Sequence, residues 1–179
     1  MAAGSARTRA SNTRRTTVGV STTLERLLAA LHDQHSAFII VGDVAARAHG
    51  SSRLTDDLDI VYARDAMNLE RIVRALEPLH PCLRGAPPGL PFDWSVSTLR
   101  AGLYFTLITD AGAIDQRGEI TGGGGYLDLA AFTIAVRAFE RDLQLLDLAR
   151  LIHVKRAAGL PDDLKVIAEL ELRMSKDRD

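Results

Sequence analysis

Apolar positions along the first half of the chain follow first a helical period and then a strand period. Leucines at helical spacing predict a helix that begins near Ser21, with its apolar face formed by Leu24, Leu27, Leu28 and Leu31. Residues 38–41 are wholly apolar and precede Gly42, which is typical of a buried strand. The alanine-rich residues 44–49 then predict a short helix that ends at Gly50.

Helical and strand patterns continue to alternate from residue 57 onward. Residues 57–62 alternate acidic and apolar side chains, which predicts a strand with one special face, and residues 69–76 predict a helix. Five of the six prolines lie between positions 78 and 91, so we expect an extended loop there. Two hairpins and two C-terminal helices follow, predicted over 103–109 with 113–120, 134–139 with 143–146, 147–158 and 162–174.

This order of elements predicts the α/β (α+β) class, with a small mixed β-sheet, flanking helices and C-terminal helices. A length of 179 residues fits one domain with a real core. We assign residues 21–179 to that domain. Residues 1–20 carry four arginines and no acidic residue, so we expect a disordered basic tail, with a transit peptide as the alternative.

Composition narrows the function classes only a little. The formal net charge of −1 gives no global field that would gather nucleic acid, so an RNA partner would need a local basic patch. No apolar run reaches the roughly 18 residues that cross a bilayer, and we expect no membrane association. Cys82 is the only cysteine, which suits a cytoplasmic protein.

The acidic strand carries the clearest candidate chemistry. Residues two apart in a strand share a face, so Asp57 and Asp59 should project together while Leu58 points to the core. Two neighbouring carboxylates repel each other unless a cation lies between them. Mg²⁺ takes oxygen ligands and commonly binds one or two protein carboxylates together with substrate phosphates. The alternation therefore indicates a magnesium site, although a solvated acidic edge has the same pattern.

The glycine at the end of the apolar strand suggests a second half of the same site. A strand that turns at Gly42 into a helix presents free backbone N–H groups, which can bind phosphate. The other glycine-rich segment, residues 122–125, lacks the Lys-Ser or Lys-Thr of a P-loop. We interpret that segment as a turn.

These two segments together resemble the signature of a known family. Residues 41–45 (VGDVA) followed by residues 49–60 (HGSSRLTDDLDI) are similar to the nucleotidyltransferase superfamily. More narrowly, they resemble short bacterial nucleotidyltransferase-like proteins related to abortive-infection toxins. The likeness extends through 104–110, 114–115, 122–126 and 151–159, and so covers most of the chain after Ser21.

The resemblance implies the nucleotidyltransferase fold and a metal-dependent transfer of a nucleoside monophosphate from an NTP to a hydroxyl acceptor. It implies that Asp57 and Asp59 hold Mg²⁺ or Mn²⁺ and that Asp115 is the third ligand, which helps to activate the acceptor. The nucleotide-binding residues that it implies are Gly42, Asp43, Ser51, Arg53, Thr55, Lys155 and Asp163. The acceptor stays open among tRNA, protein and small molecules.

Two alternatives concern individual residues. Asp110 lies close to Asp115 in sequence, but it falls in a predicted turn, where aspartate commonly bonds the backbone, so we assign it a structural role. Asp43 stands where active relatives usually carry Gly or Ser. Its carboxylate would either repel a triphosphate or cap the following helix.

The departure at Asp43 supports a rival hypothesis from another class. In it, the chain is a catalytically degenerate nucleotidyltransferase-fold protein that acts as an antitoxin or as the partner of a second small protein. The transferase hypothesis predicts nucleotide turnover, whereas the rival predicts none and a tight contact surface instead.

Overall fold

A seven-stranded mixed β-sheet forms the centre of the computed structural model, which describes residues 21–87 and 89–176. The strands are β1 (Phe38–Ile40), β2 (Leu58–Tyr62), β3 (Cys82–Leu83), β4 (Tyr104–Thr109), β5 (Gly112–Arg117), β6 (Glu119–Ile120), β7 (Gly124–Gly125), β8 (Thr133–Ala138) and β9 (Arg141–Leu146). The order across the sheet is β3-β4-β5-β2-β1-β9-β8, and β6 and β7 form a separate hairpin. The predicted tail, residues 1–20, lies outside the described residues.

Helices pack around this sheet. They are α1 (Ser21–Asp33), α2 (Gly42–Ala48), α3 (Ala66–Leu76), α4 (Val96–Ala101), α5 (Tyr126–Leu129), α6 (Leu148–Ala158) and α7 (Asp163–Lys176). Helix α1 packs on α3 and β5, whereas α2 packs between β2 and α6, and α6 in turn packs on α7. None of these helices in the described part of the chain is long and apolar enough to cross a membrane. The architecture confirms the predicted α/β class with a mixed sheet and C-terminal helices.

The core explains why the apolar periodicity located these elements. All three residues of β1 are buried, as expected for a strand with neighbours on both sides, and the predicted leucines of α1 include fully buried side chains at Leu27 and Leu31. Asp147 caps α6 by accepting a hydrogen bond from the backbone N–H of Arg150. Gly159 ends that helix in the left-handed conformation.

The pairing of β2 determines where the acidic side chains lie. This strand is antiparallel to β1 and parallel to β5, with Asp59 directly opposite Asp115. Strand β5 also pairs with β4, where Asp115 is opposite Thr106. Because alternate residues of a strand point to opposite faces, Leu58 and Ile60 are fully buried while Asp59 and Asp115 share the other face.

Three sequence predictions need correction. Strand β2 begins at Leu58, so Asp57 precedes it; its backbone N–H donates to Thr55 Oγ1 (3.3 Å), which forms a turn there. The strand predicted over 113–120 is interrupted at Gly118, whose N–H bonds to Leu103 O (2.6 Å) instead of continuing the ladder.

The prediction that the proline-rich segment is only an extended loop is wrong, because this segment contains the short edge strand β3, which pairs with β4. Helix α4 was not predicted at all. The side chain of Ser95 caps it by accepting from the N–H of Thr98, a local signal that was present in the sequence.

Glu169 of α7 fastens the turn after α2 to the C-terminal helices. Its carboxylate accepts hydrogen bonds from the hydroxyls of Ser51 (2.8 Å) and Ser52 (2.7 Å) and from the backbone N–H of Ser52 (2.9 Å). The hydrogen bonds from the Ser52 side chain and backbone, followed by that from Ser51, lower the pKa of Glu169 to about 2.

Gly42 begins α2 with a φ of +62°, a left-handed conformation that disfavours side chains. A Cβ atom at this position would lie 2.4 Å from Asp59 Oδ2 and 2.8 Å from Asp59 Cβ. The backbone of α2 therefore rests directly against the carboxylate of β2, and only glycine permits this approach.

We expect Glu169→Gln to destabilise the protein at neutral pH and much less in acid. Because the folded pKa is lowered, the carboxylate contributes stability above its ordinary pKa of 4.5 and loses that contribution as the pH falls toward 2. Urea unfolding at pH 7 and pH 3 measures the difference from wild type, with Glu70→Gln on α3 as a control. A difference that is equal at both pH values contradicts this assignment.

The variants Gly42→Ala and Gly159→Ala together test whether the close approach of α2 to β2 requires glycine. Both positions have left-handed φ, +62° and +64°, but a Cβ at position 159 would meet no atom within 4 Å. We expect Gly159→Ala to cost about 1–2 kcal/mol from backbone strain alone. Gly42→Ala should cost about 1–3 kcal/mol more from overpacking, as measured by chemical denaturation; equal losses would refute the role of the contact.

Candidate active site

Two of the three carboxylates predicted as metal ligands lie side by side on one face of the sheet, and the third, Asp57, precedes β2. Asp59 and Asp115 lie side by side in the β2–β5 register and are largely buried, with 18% and 14% of their side chains exposed. Asp57 is 43% exposed and is joined to the pair through a shared arginine. The structure thus brings Asp59 and Asp115 together and links Asp57 to them through that arginine; their role as metal ligands stays a prediction.

Two arginines that sequence reasoning missed hold this cluster together. Arg84 Nη1 donates to Asp57 Oδ2 (2.5 Å), while its Nη2 donates to Asp115 Oδ1 (2.9 Å). Arg117 Nη2 donates both to Asp59 Oδ1 (3.0 Å) and to Asp115 Oδ2 (3.2 Å). Asp115 thus receives one guanidinium on each of its oxygens and links the two ion pairs.

The carboxylate oxygens therefore face guanidinium groups instead of a common point. Within residues 21–87 and 89–176, no group of three or more acidic, histidine or cysteine side chains is arranged around a position for a metal ion. The three carboxylates oppose only two guanidiniums, so the cluster retains one uncompensated negative charge.

The electrostatics of Asp59 reflect this crowding. Burial raises the pKa of Asp59, the ion pair with Arg117 opposes that rise, and the neighbouring carboxylates of Asp115 and Asp43 reinforce it. The hydrogen bond to Asp57 raises the pKa of Arg84, which remains protonated. A further cation near Asp59 would relieve the repulsion.

A second charge cluster lies across from the first. Lys155 is 7% exposed, and its Nζ donates to Asp43 Oδ1 (2.8 Å) and Asp163 Oδ1 (2.7 Å). Arg53 Nε contacts the other oxygen of Asp43, Oδ2, at 2.8 Å. Asp43 therefore holds both cations predicted to bind nucleotide, and α2 receives no side-chain cap from it.

Both clusters contribute to one cavity of about 570 Å³, a volume within the range of about 300–1,000 Å³ for small-ligand sites, although Asp57 and Arg84 do not line it. Its charged lining on the sheet side includes Asp59, Asp115 and Arg117. On the helical side the charged lining is formed by Asp43, Arg53, Lys155, Asp162 and Asp163. Tyr104 and Leu160 add apolar surface to its lining.

The remaining predicted nucleotide-binding residues lie in different places. Gly42 lines the cavity, whereas Ser51 and Thr55 do not. Ser51 bonds to Glu169, and Thr55 forms the turn before Asp57. In this structure the side chains of both residues thus make hydrogen bonds within the protein.

Asp110, the alternative third ligand, lies away from the cluster. It occupies the turn between β4 and β5, where its Oδ2 contacts His80 Nδ1 (2.6 Å) and its backbone N–H donates to Leu79 O (2.9 Å). The predicted turn is present, although the side chain of Asp110 contacts His80 and not the backbone.

Only part of the missed site had a signal in the sequence. Arg117 follows Asp115 by two residues, so the same alternation that pairs Asp57 with Asp59 places it on the acidic face. Arg84 had no comparable signal, because its position depends on the unpredicted strand β3.

Comparison with known proteins rests on structure alone. No family model and no curated protein sequence matches the chain. A solution structure of the antibiotic-resistance factor ANT(2'')-Ia, a nucleotidyltransferase, matches with a TM-score of 0.52 and 15% sequence identity. The match covers 87% of this chain and 82% of that protein. The chain therefore has the nucleotidyltransferase fold.

Proposed function

We propose that the chain is a metal-dependent nucleotidyltransferase, which moves a nucleoside monophosphate from an NTP to a hydroxyl acceptor and releases pyrophosphate. The main support is the register that sets Asp59 opposite Asp115 on one wall of a cavity whose other wall carries Lys155 and Arg53. Carboxylates for a cation and cations for phosphates thus face the same space.

The carboxylate donors fit a hard divalent cation such as Mg²⁺ or Mn²⁺. Asp57, Asp59 and Asp115 offer only oxygen atoms, and their cluster carries more negative charge than its two arginines compensate. A cation held there would supply positive charge to the attacking and leaving oxygens of a phosphoryl displacement.

The proposed reaction is an in-line displacement at the α-phosphorus. The acceptor oxygen forms a bond to that phosphorus, the bond to the oxygen bridging to the β-phosphate breaks, and pyrophosphate leaves with this oxygen. Asp115 lies between Asp59 of β2 and Thr106 of β4 in the sheet register, and in our proposal it accepts the proton of the acceptor hydroxyl.

The residues of the helical wall bind and orient the nucleotide in this proposal. Lys155 and Arg53 provide positive charge for the triphosphate, and Asp163 keeps the buried ammonium of Lys155 in position through a 2.7 Å hydrogen bond. Gly42 lines the cavity and lets the start of α2 lie directly against the carboxylate of Asp59.

One observation favours a second candidate, a non-catalytic binding protein of the toxin–antitoxin type. Asp43 contacts both Lys155 and Arg53 with its two oxygens, and so occupies the cations in the way that a phosphate would. If this contact persists in the presence of nucleotide, the chain would keep the fold without turnover and bind a partner protein instead.

Label transfer tests the proposed activity. We expect wild type to transfer label from at least one α-³²P NTP with Mg²⁺ or Mn²⁺ into RNA, protein or a small-molecule extract, which also identifies the acceptor class. Asp59→Asn and Asp115→Asn should each lower the rate about a hundredfold or more, comparable to the loss of a transition-state contact. Asp110→Asn, in the turn beside His80, is the matched control and should retain activity.

No transfer from any NTP, or full activity in both cluster variants, would refute this proposal. Equal loss in the Asp110 variant would instead point to a general effect of removing an acidic residue near β5.

Nucleotide binding to Asp43→Asn distinguishes the two candidates. We expect this variant to bind NTP about tenfold more tightly than wild type, because one negative charge leaves the cavity and two cations are freed. Asp162→Asn is the control, since it removes the same charge from the cavity lining without freeing Lys155. Calorimetric titration with a non-hydrolysable NTP measures the affinities.

If wild type shows no binding or turnover and Asp43→Asn gains binding, the non-catalytic candidate is favoured. Weaker binding by Asp43→Asn would instead make Asp43 a working part of the nucleotide site.

A further inference from the structure

The two arginines of the carboxylate cluster are anchored through the sheet itself. The backbone N–H of Arg84 donates to Thr106 O (2.9 Å), which extends the pairing of β3 with β4 by one residue. Arg117 is the last residue of β5 and lies on the same face as Asp115. Their backbones are therefore fixed at two different places in the sheet, Arg84 beside β4 and Arg117 within β5.

Their side chains, in contrast, have room to move. Arg84 is 36% and Arg117 is 37% exposed, whereas Asp59 and Asp115 beneath them are largely buried. Long arginine side chains can rotate away while their backbones stay in place. The guanidiniums are thus the replaceable members of the cluster, and the carboxylates are the fixed ones.

We propose that Arg84 and Arg117 are the counter-ions of the carboxylate cluster in the metal-free protein, that a divalent cation binds by displacing them, and that the displaced Arg117 binds the triphosphate. This inference rests on the proposed function, because it concerns the cation and nucleotide of the same site.

The need for displacement follows from charge and from geometry. Asp115 has a guanidinium on each oxygen, and Asp59 Oδ1 carries a third hydrogen bond of this kind. A divalent cation needs those same oxygen lone pairs, and it repels a guanidinium only a few ångströms away. Cation and guanidinium therefore compete for one set of ligand atoms.

The two arginines differ in what they can reach after displacement. Arg117 lines the cavity between the two charged walls, whereas Arg84 does not. A guanidinium presents its N–H groups in a planar fork that fits two phosphate oxygens. Arg117 therefore exchanges carboxylate oxygens for phosphate oxygens, and Arg84 turns toward solvent.

This exchange couples the two ligands. A triphosphate that takes the guanidinium of Arg117 leaves Asp59 and Asp115 free for the cation, so each ligand should raise the affinity for the other by the same factor. The coupling should depend on Arg117 and not on Arg84.

Titration of the full chain with Mn²⁺ alone, followed by electron paramagnetic resonance, tests the displacement without any turnover. We expect Arg84→Gln and Arg117→Gln each to bind Mn²⁺ about tenfold more tightly than wild type, since one charge-assisted competitor is lost. Arg137→Gln is the matched control, because Arg137 pairs with Asp142 in the β8–β9 hairpin. That variant should bind as wild type does.

A second titration separates the roles of the two arginines. In the presence of Mg²⁺, Arg117→Gln should bind a non-hydrolysable NTP about tenfold more weakly than Arg84→Gln does. Arg84→Lys and Arg117→Lys keep the positive charge and should bring the Mn²⁺ affinity back toward that of wild type, which a purely structural role would not predict.

Unchanged or weaker Mn²⁺ binding by both Gln variants, with melting temperatures near that of wild type, would overturn the displacement. Equal NTP affinity in the two Gln variants would overturn the role of Arg117. These outcomes are independent of the transfer assay, so an inactive protein with competing arginines and an active protein without such competition remain distinguishable.

Discussion

The parallel pairing of β2 with β5 is the constraint on which the rest of the site depends. It sets Asp59 opposite Asp115 at a distance where their charges repel, and the partial burial of both side chains strengthens that repulsion. The pairing is maintained because the opposite face of the same strands contributes the fully buried Leu58 and Ile60 to the core. The packing of the apolar face thus determines the register, and this register brings the acidic side chains of the other face close together. The guanidiniums of Arg84 and Arg117, or a bound cation, are alternative sources of the positive charge that compensates this repulsion.

Much of the fold could be predicted because its signals are local. The buried run of β1, the leucine spacing of α1 and the glycine after α6 each depend on a few neighbouring residues. Periodicity alone could not predict that Asp115 lies beside Asp59, since no local signal makes β2 and β5 neighbours. That step came from resemblance to a family, and the similarity to a solved nucleotidyltransferase supports the fold behind it. The resemblance implied that Ser51 and Thr55 bind nucleotide, whereas in this structure Ser51 bonds to Glu169 and Thr55 bonds to the backbone of Asp57.

The part that could not be predicted consists of contacts between residues distant in the chain. Strand β3 is only two residues long and lies among prolines, so its pairing with β4 leaves no periodic trace, and the position of Arg84 follows from that pairing. The charge of Asp43 could be read as repulsive toward phosphate, but its two partners could not. One of them, Lys155, is contributed by a helix 112 residues further along the chain. Ion-pair partners depend on which surfaces meet, and sequence spacing carries no information about that.

The contact between Asp43 and Lys155 also has a consequence for folding. The helical side of the cavity is held together by this contact, which spans 112 residues, and the turn after α2 is fastened to α7 by the hydrogen bond from Ser51 to Glu169, which spans 118. Closing such long loops costs entropy before any contact compensates it, so these bonds should form late. During synthesis on the ribosome, the sheet segments from β1 to β5 emerge well before α6 and α7. A nascent chain would therefore display Asp59 and Asp115 while Lys155 and Asp163 are still missing, and nucleotide could first find a complete binding site only after α6 and α7 have docked.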